Sequence, residues 1–235
     1  MKTQFLIIRL LISFSIFCQE SEKLNYGEAN GDIYFMDEEY NKAILEYDKA
    51  IKQNNDEPYN YYLRGVSNYK TNSYEKAITD LTKSINLSEV TDYSSNWLHG
   101  PRTKNVNGKI ENMVRGGTFE HYYYHVFFYR AFSKFQLEDY YGAINDFKEY
   151  TKYDSENDIV YEYLGLCYMI LEKYEKSIKS LTKAIEINNN NGNAYFHRSR
   201  SYHSINSIEK CCLDLSKAGE LGVKKAYEII KKICG

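Results

Sequence analysis

A short phrase recurs along this chain: Tyr40-Asn41-Lys42-Ala43-Ile44, Tyr74-Glu75-Lys76-Ala77-Ile78, Tyr140-Tyr141-Gly142-Ala143-Ile144 and Tyr174-Glu175-Lys176-Ser177-Ile178. The spacing is 34 residues except for one larger gap, and a fixed period of this kind confines the fold more tightly than composition does. Extending the frame gives five units at 24–57, 58–91, 124–157, 158–191 and 192–225, with 92–123 left over as an insertion.

Within the units, side-chain size is fixed by place. The eighth place is small (Gly31, Gly65, Ala131, Gly165, Ser199), as is the twentieth (Ala43, Ala77, Ala143, Ser177, Cys211). Small residues at both places let two helices cross closely. The twenty-fourth place is large (Tyr47, Leu81, Phe147, Leu181, Leu215), and the seventeenth is Tyr40, Tyr74, Tyr140, Tyr174 and Ile208. Those side chains are expected to fill the space around the crossing.

This pattern resembles the tetratricopeptide repeat, whose signature is Trp-x2-Leu-Gly-x2-Tyr, then Ala-x3-Phe, then Ala and Pro. Residues 158–191 match best, with Tyr161, Leu164, Gly165, Tyr168, Ser177, Leu181 and Ala184 in register. The chain departs from the signature at the Leu place, which holds Arg64, Arg130 and Arg198, and no unit ends in Pro. The resemblance implies an all-α fold: a right-handed α-solenoid of about five helix-turn-helix units. The first helix of each is expected over about the third to fourteenth places, and the second from the seventeenth. Polar turns such as Asp37-Glu38-Glu39, Thr71-Asn72-Ser73 and Glu138-Asp139 would supply oxygen acceptors to the amides that open each second helix. Residues 222–234 place Val223, Ala226, Tyr227, Ile230 and Ile233 at helical spacing with lysines opposite, the pattern of a capping helix over an otherwise open apolar end.

In that family, ligands lie along the concave face built by the first helices. Carried over by place, this implies a partner-binding surface of Tyr59, Tyr62, Tyr69, Phe128, Phe132, Phe135, Met169 and Arg200. Aromatic rings bury large areas at small entropy cost, and Arg200 would hold a carboxylate, so the expected partner is a protein or peptide segment. The alternative is that several of these rings pack against a neighbouring helix. The carboxylate-gripping Lys and Asn of the chaperone-binding subset are absent. Their places hold Glu28 and Asp32, Tyr62 and Val66, and Phe128 and Phe132.

The insertion contains Trp97, His99 and Arg102, candidates for a specificity loop over the groove, or for a small-ligand or glycan site; a tolerated surface insertion explains it equally. His121 and His125 stand four apart, but the surrounding metal-protease context is missing, and no metal or cofactor is expected. No Gly-x4-Gly-Lys loop, Gly-x-Ser-x-Gly elbow or Cys-x2-Cys pair is present, so no catalytic residues are assigned. A net charge of -2 supplies no positive field for a phosphate backbone, which argues against nucleic acid.

Residues 1–18 run from Lys2 through Phe5-Leu6-Ile7-Ile8 to Phe17-Cys18 and then turn polar at Gln19-Glu20, the form of a signal peptide. Export to the periplasm or exterior is therefore expected, with the solenoid domain over 19–235 and no membrane span after cleavage; an uncleaved amphipathic anchor is the alternative. Ser15-Ile16-Phe17-Cys18 puts a bulky Phe where a lipoprotein signal needs a small residue, which disfavours lipid anchoring through Cys18. Abundant Asn, Ile, Lys and Tyr resemble repeat proteins of Bacteroidetes, suggesting an envelope assembly. Export permits a disulfide between Cys211 or Cys212 and Cys234. Cys167 and Cys211 also occupy places where the repeat takes small buried residues.

Overall fold

The computed structural model describes residues 30–90 and 119–234. Among them every regular element is a helix: α1 (30–36), α2 (Tyr40–Gln53), α3 (Pro58–Lys70), α4 (Tyr74–Val90), α5 (Phe119–Gln136), α6 (Tyr140–Thr151), α7 (Asp158–Ile170), α8 (Tyr174–Ile187), α9 (Gly192–Ser204), α10 (Ile208–Glu220) and α11 (Lys224–Ile233). The second helix of every repeat opens at the seventeenth place, at Tyr40, Tyr74, Tyr140, Tyr174 and Ile208. The first helices of the second, fourth and fifth repeats open at the first place, earlier than the spacing predicts; Pro58 does so because its missing N–H would be unpaired in a first turn anyway. The chain forms two compact units, one ending at Val126 and one beginning at Phe127, within α5.

In the first unit α3 packs on α4 and α2 on α3. Ala43, Ala77, Tyr47 and Leu81 are fully buried at the crossings. Closeness is enforced by the eighth place: a Cβ on Gly31 would stand 2.7 Å from the Tyr47 ring, and one on Gly65 would stand 2.8 Å from Leu81 Cγ. In the second unit, α7 packs on α8, α9 on α10 and on α8, and α11 on α10. Gly165 is seated against Leu181 in the same manner, and Ala143, Phe147, Ser177, Leu181 and Leu215 are fully buried. The seventeenth place is more peripheral than expected: its tyrosines are half-buried, and Ile208 is exposed.

The turn between paired helices is the same in all five repeats and is not the acceptor turn expected above. Glu38, Asn72, Glu138, Glu172 and Asn206, all at the fifteenth place, have φ of 56–62°. The next amide closes back over the turn: Glu39 N–H to Tyr34 O at 2.8 Å, Ser73 to Asn68 at 2.7 Å, Asp139 to Lys134 at 2.9 Å, Lys173 to Tyr168 at 2.8 Å and Ser207 to Tyr202 at 2.9 Å. This is a Schellman closure in which a left-handed residue satisfies the last carbonyls of the first helix. Glycine adopts that conformation without strain, whereas Glu and Asn hold their Cβ against it. Of the expected acceptors, Asp139 does cap α6, accepting from Gly142 N–H at 2.9 Å. Glu39 makes no cap hydrogen bond, and its carboxylate pairs instead with Lys42 at 2.7 Å.

The arginines at the Leu place are the principal departure from an apolar crossing. Arg64 donates to Asp80 through Nε at 2.9 Å and Nη2 at 2.6 Å, Arg130 to Asp146 at 2.8 and 2.7 Å, and Arg198 to Asp214 at 2.8 and 2.8 Å. Each guanidinium also lies over the ring at the fourth place, Tyr61, Phe127 or Tyr195, at 5.5, 5.6 and 5.5 Å. All three aspartates are buried, so each bidentate clamp compensates a carboxylate removed from water. Arg64 and Arg198 reach one repeat further back, to Asp48 at 2.6 Å and Thr182 Oγ1 at 2.9 Å.

The expected cap is α11, led in by Val223. Ala226 is fully buried against Cys211, Leu215 and Ala218, with Val223, Ile229 and Ile230 packed around it. Tyr227 is 52% exposed, with its ring standing over Gly219, and Ile229 joins the packing around Ala226. Cys212, rather than Cys211, is bonded to Cys234, with their Cα atoms 5.8 Å apart; Cys167 and Cys211 are buried free thiols. Cys234 stands at the C-cap of α11, just past its regular turns.

Candidate partner-binding surface

In the first unit the candidate residues stand on α3. Tyr62 is 9% exposed and belongs to the core, beside Leu63 and Val66. Tyr59 and Tyr69 are half-buried. The Tyr59 hydroxyl donates to Asp32 Oδ2 at 3.4 Å, and the Tyr69 ring is tilted on Tyr74 at 6.0 Å. Asp32 also accepts from the buried Tyr47 hydroxyl at 2.8 Å.

In the second unit, α5 brings Phe128, Phe132 and Phe135 into one aromatic cluster with Tyr163 of α7. Ring centroids are 4.7 Å apart for Phe128 and Phe132, 4.5 Å for Phe132 and Tyr163, and 5.0 Å for Phe135 and Tyr163. Phe132 also meets Phe147 edge-on at 5.1 Å and is 6% exposed, so its ring cements neighbouring helices. Met169, 8% exposed, is buried likewise. Phe128 and Phe135 remain half-buried and Ile159 is 48% exposed, so these leave apolar area at the surface.

Beside that cluster lies a polar one centred on Glu162. Glu162 accepts from Asn191 Nδ2 at 2.9 Å, and the same nitrogen reaches Asp158 at 3.0 Å. His197 Nε2 stands 4.0 Å from Glu162 Oε1, and its buried Nδ1 has no hydrogen-bond partner. Burial pushes the Glu162 carboxyl above its usual range, against the Asn191 hydrogen bond and with help from Asp158. Burial, reinforced by the Arg200 charge, pushes His197 down to about 4, so this imidazole is neutral near pH 7. Arg200 itself is exposed and forms no ion pair among the described residues. Burial also pushes the Cys167 thiol up to about 12, which leaves it unreactive as a nucleophile.

Trp97, His99, Arg102 and residues 1–18 lie outside the described residues, as does the His121 side chain. Among the described residues no group of three or more His, Cys, Asp or Glu is arranged to hold a metal ion, and no helix is long and apolar enough to cross a membrane. Tyr34 of α1 and Lys42, Leu45 and Lys49 of α2 line an open depression of about 290 Å³.

Family sequence models described as TPR repeat and Tetratricopeptide repeat match residues 31–72, 58–91 and 159–191. The chain carries tetratricopeptide repeats over these residues. Solved structures agree on the fold. YrrB, described as a TPR protein with an unusual peptide-binding site, superposes with a TM-score of 0.70 at 14% identity, covering 93% of this chain and 97% of that one. A MamA protein gives 0.67 at 18% identity, covering 88% and 96%. Among curated proteins, dynein axonemal assembly factor 4 of Pongo pygmaeus is 30% identical over 142 residues, 60% of this chain and 28% of its own length. The Rattus norvegicus protein of that name is 29% identical over 150 residues, 64% of this chain and 30% of its own. The repeat protein thus spans under a third of the curated relatives it matches.

Proposed function

We propose that this chain is a non-catalytic scaffold that binds a peptide or protein segment on the first helices of its second unit, through Phe128, Phe135, Ile159 and Arg200. The observation that carries this reading is the apolar area left on those helices after Phe132 and Met169 have been used in packing, together with the exposed Arg200 guanidinium on the first helix of the fifth repeat. A segment with apolar side chains and a carboxylate suits that combination. The peptide-binding site named for YrrB supports the same class of function.

Export and a place in a bacterial envelope assembly belong to the same proposal. The apolar run ending at Cys18 supports export, as does the disulfide between Cys212 and Cys234, since such bonds persist in oxidising compartments.

The test is affinity capture from envelope extract, comparing the wild type with Phe135→Ala/Arg200→Glu after circular dichroism shows equal helicity. Tyr62 and Phe132 are unsuitable probes, because truncating a buried ring disturbs the fold. A segment retained by the wild type and lost by the variant supports the reading; equal capture by both overturns it. N-terminal sequencing of the protein from the extracytoplasmic fraction tests export, with a mature start near Gln19 as the expected result.

A further inference from the structure

The C-terminal helix pair carries a feature that peptide binding does not use. α11 has ten residues, of which only Ala226 is fully buried, and a helix so short is marginal in water by itself. It is held by Val223, Ile229 and Ile230 against Cys211, Leu215 and Ala218, and by the Tyr227 ring standing over Gly219, where an added Cβ would lie 2.8 Å from it. Among the described residues no side-chain hydrogen bond or ion pair joins α11 to α10, in contrast to the Arg198–Asp214 clamp that joins α10 to α9. The remaining tie is the Cys212–Cys234 disulfide, which closes a loop across a sequence separation of 22. Both of its cysteines are half-buried and open to a thiol from solvent, whereas Cys167 and Cys211 are sealed in the core.

We propose that the Cys212–Cys234 disulfide is a redox latch on the end of the helical stack, opened by a dithiol reductant to release α11 and bare the apolar end formed by Leu215, Ala218, Tyr195 and Phe196. In the opening step a thiolate of the reductant attacks one sulfur and the S–S bond breaks, leaving a mixed disulfide and one cysteine thiolate. The second thiol of the reductant then attacks the reductant sulfur of the mixed disulfide, forming the reductant's own disulfide and expelling the second cysteine thiolate. The protein gains two electrons and two protons, ending with thiols at Cys212 and Cys234. Loss of the cross-link restores the freedom that the closed loop had removed, and α11 is left with an apolar seat centred on one fully buried side chain.

The test is amide hydrogen exchange on the full chain, before and after dithiothreitol. On reduction, exchange over 224–233 is expected to rise roughly tenfold or more, while 158–187 stays protected. Cys212→Ser is expected to show the fast exchange with or without reductant, and Cys211→Ala to respond as the wild type does. Three results would overturn the latch: equal α11 exchange in both redox states, loss of protection through 158–187 along with α11, or full alkylation of Cys212 and Cys234 in protein never reduced.

Discussion

The fourth repeat holds Leu164 and Ser180 where the fifth holds Arg198 and Asp214, and the two repeats are neighbours in one unit. Both pair their helices at the same places, with Leu181 and Leu215 fully buried at the crossings. They differ in how the flank of the crossing is closed: apolar contact in one, and a bidentate ion pair with a guanidinium over Tyr195 in the other. The sixth place differs too, with Tyr163 in the fourth repeat and His197 in the fifth. A single backbone plan thus tolerates two chemistries, provided that both members of a pair change together.

That comparison is broken most severely by changing one member alone. Asp214→Ala leaves Arg198 partly buried without its carboxylate and is expected to cost about 3–4 kcal/mol in chemical denaturation. Copying the fourth repeat through Arg198→Leu/Asp214→Ser is expected to recover all but about 1 kcal/mol, because it removes the charge and its partner together. If the double variant is no better than the single one, the clamp is not a separable pair.

The sixth place is probed by pH. His197 is lowered from 6.5 to about 4 in the folded state, so the unfolded chain binds more protons between those values. Its contribution to stability is therefore complete above pH 6.5 and is lost as pH falls toward 4, by about 3 kcal/mol in all. Glu162, whose carboxyl is raised, acts in the opposite sense above 4.5, favouring the folded state less as pH rises. His197→Tyr, which copies the fourth repeat, is expected to flatten the acid side of the stability profile measured by urea melts between pH 4 and 7.

The smallest effect concerns the turn that the two repeats share. Glu172→Gly is expected to stabilise by about 1 kcal/mol by removing a Cβ from a left-handed residue, and Asn206→Gly by less, since Asn tolerates that conformation better. Thermal melts of the two variants check the order. The reverse order would mean that the Glu172 side chain contributes something its backbone conformation does not reveal.

Helix pairing was legible from sequence because size alternation at the eighth, twentieth and twenty-fourth places sets how closely two helices approach. The clamps were legible in principle and were missed. Arg64, Arg130 and Arg198 register as departures from the signature, yet each has an Asp sixteen residues on, and Leu164 has Ser180 there instead. The left-handed turn was hidden because Glu and Asn occupy a place where glycine would have announced it. In the candidate site, the first-helix places were readable, but not which of their rings would be consumed in packing: Phe132 is buried by Tyr163 and Phe147, which lie 31 and 15 residues away along the chain. The disulfide partner was left open between Cys211 and Cys212 because the choice depends on where α11 ends rather than on helical spacing.

Near-identical repeats carry a danger of mispairing, since a first helix can in principle dock on the second helix of the wrong unit. In this chain a slip of one repeat would set Arg198 against Ser180 and leave Asp214 facing Leu164, stranding two charges in a poorly hydrated crossing. The uncharged crossing of the fourth repeat, set beside the charged one of the fifth, therefore penalises a swap between these two while leaving the correct arrangement undisturbed.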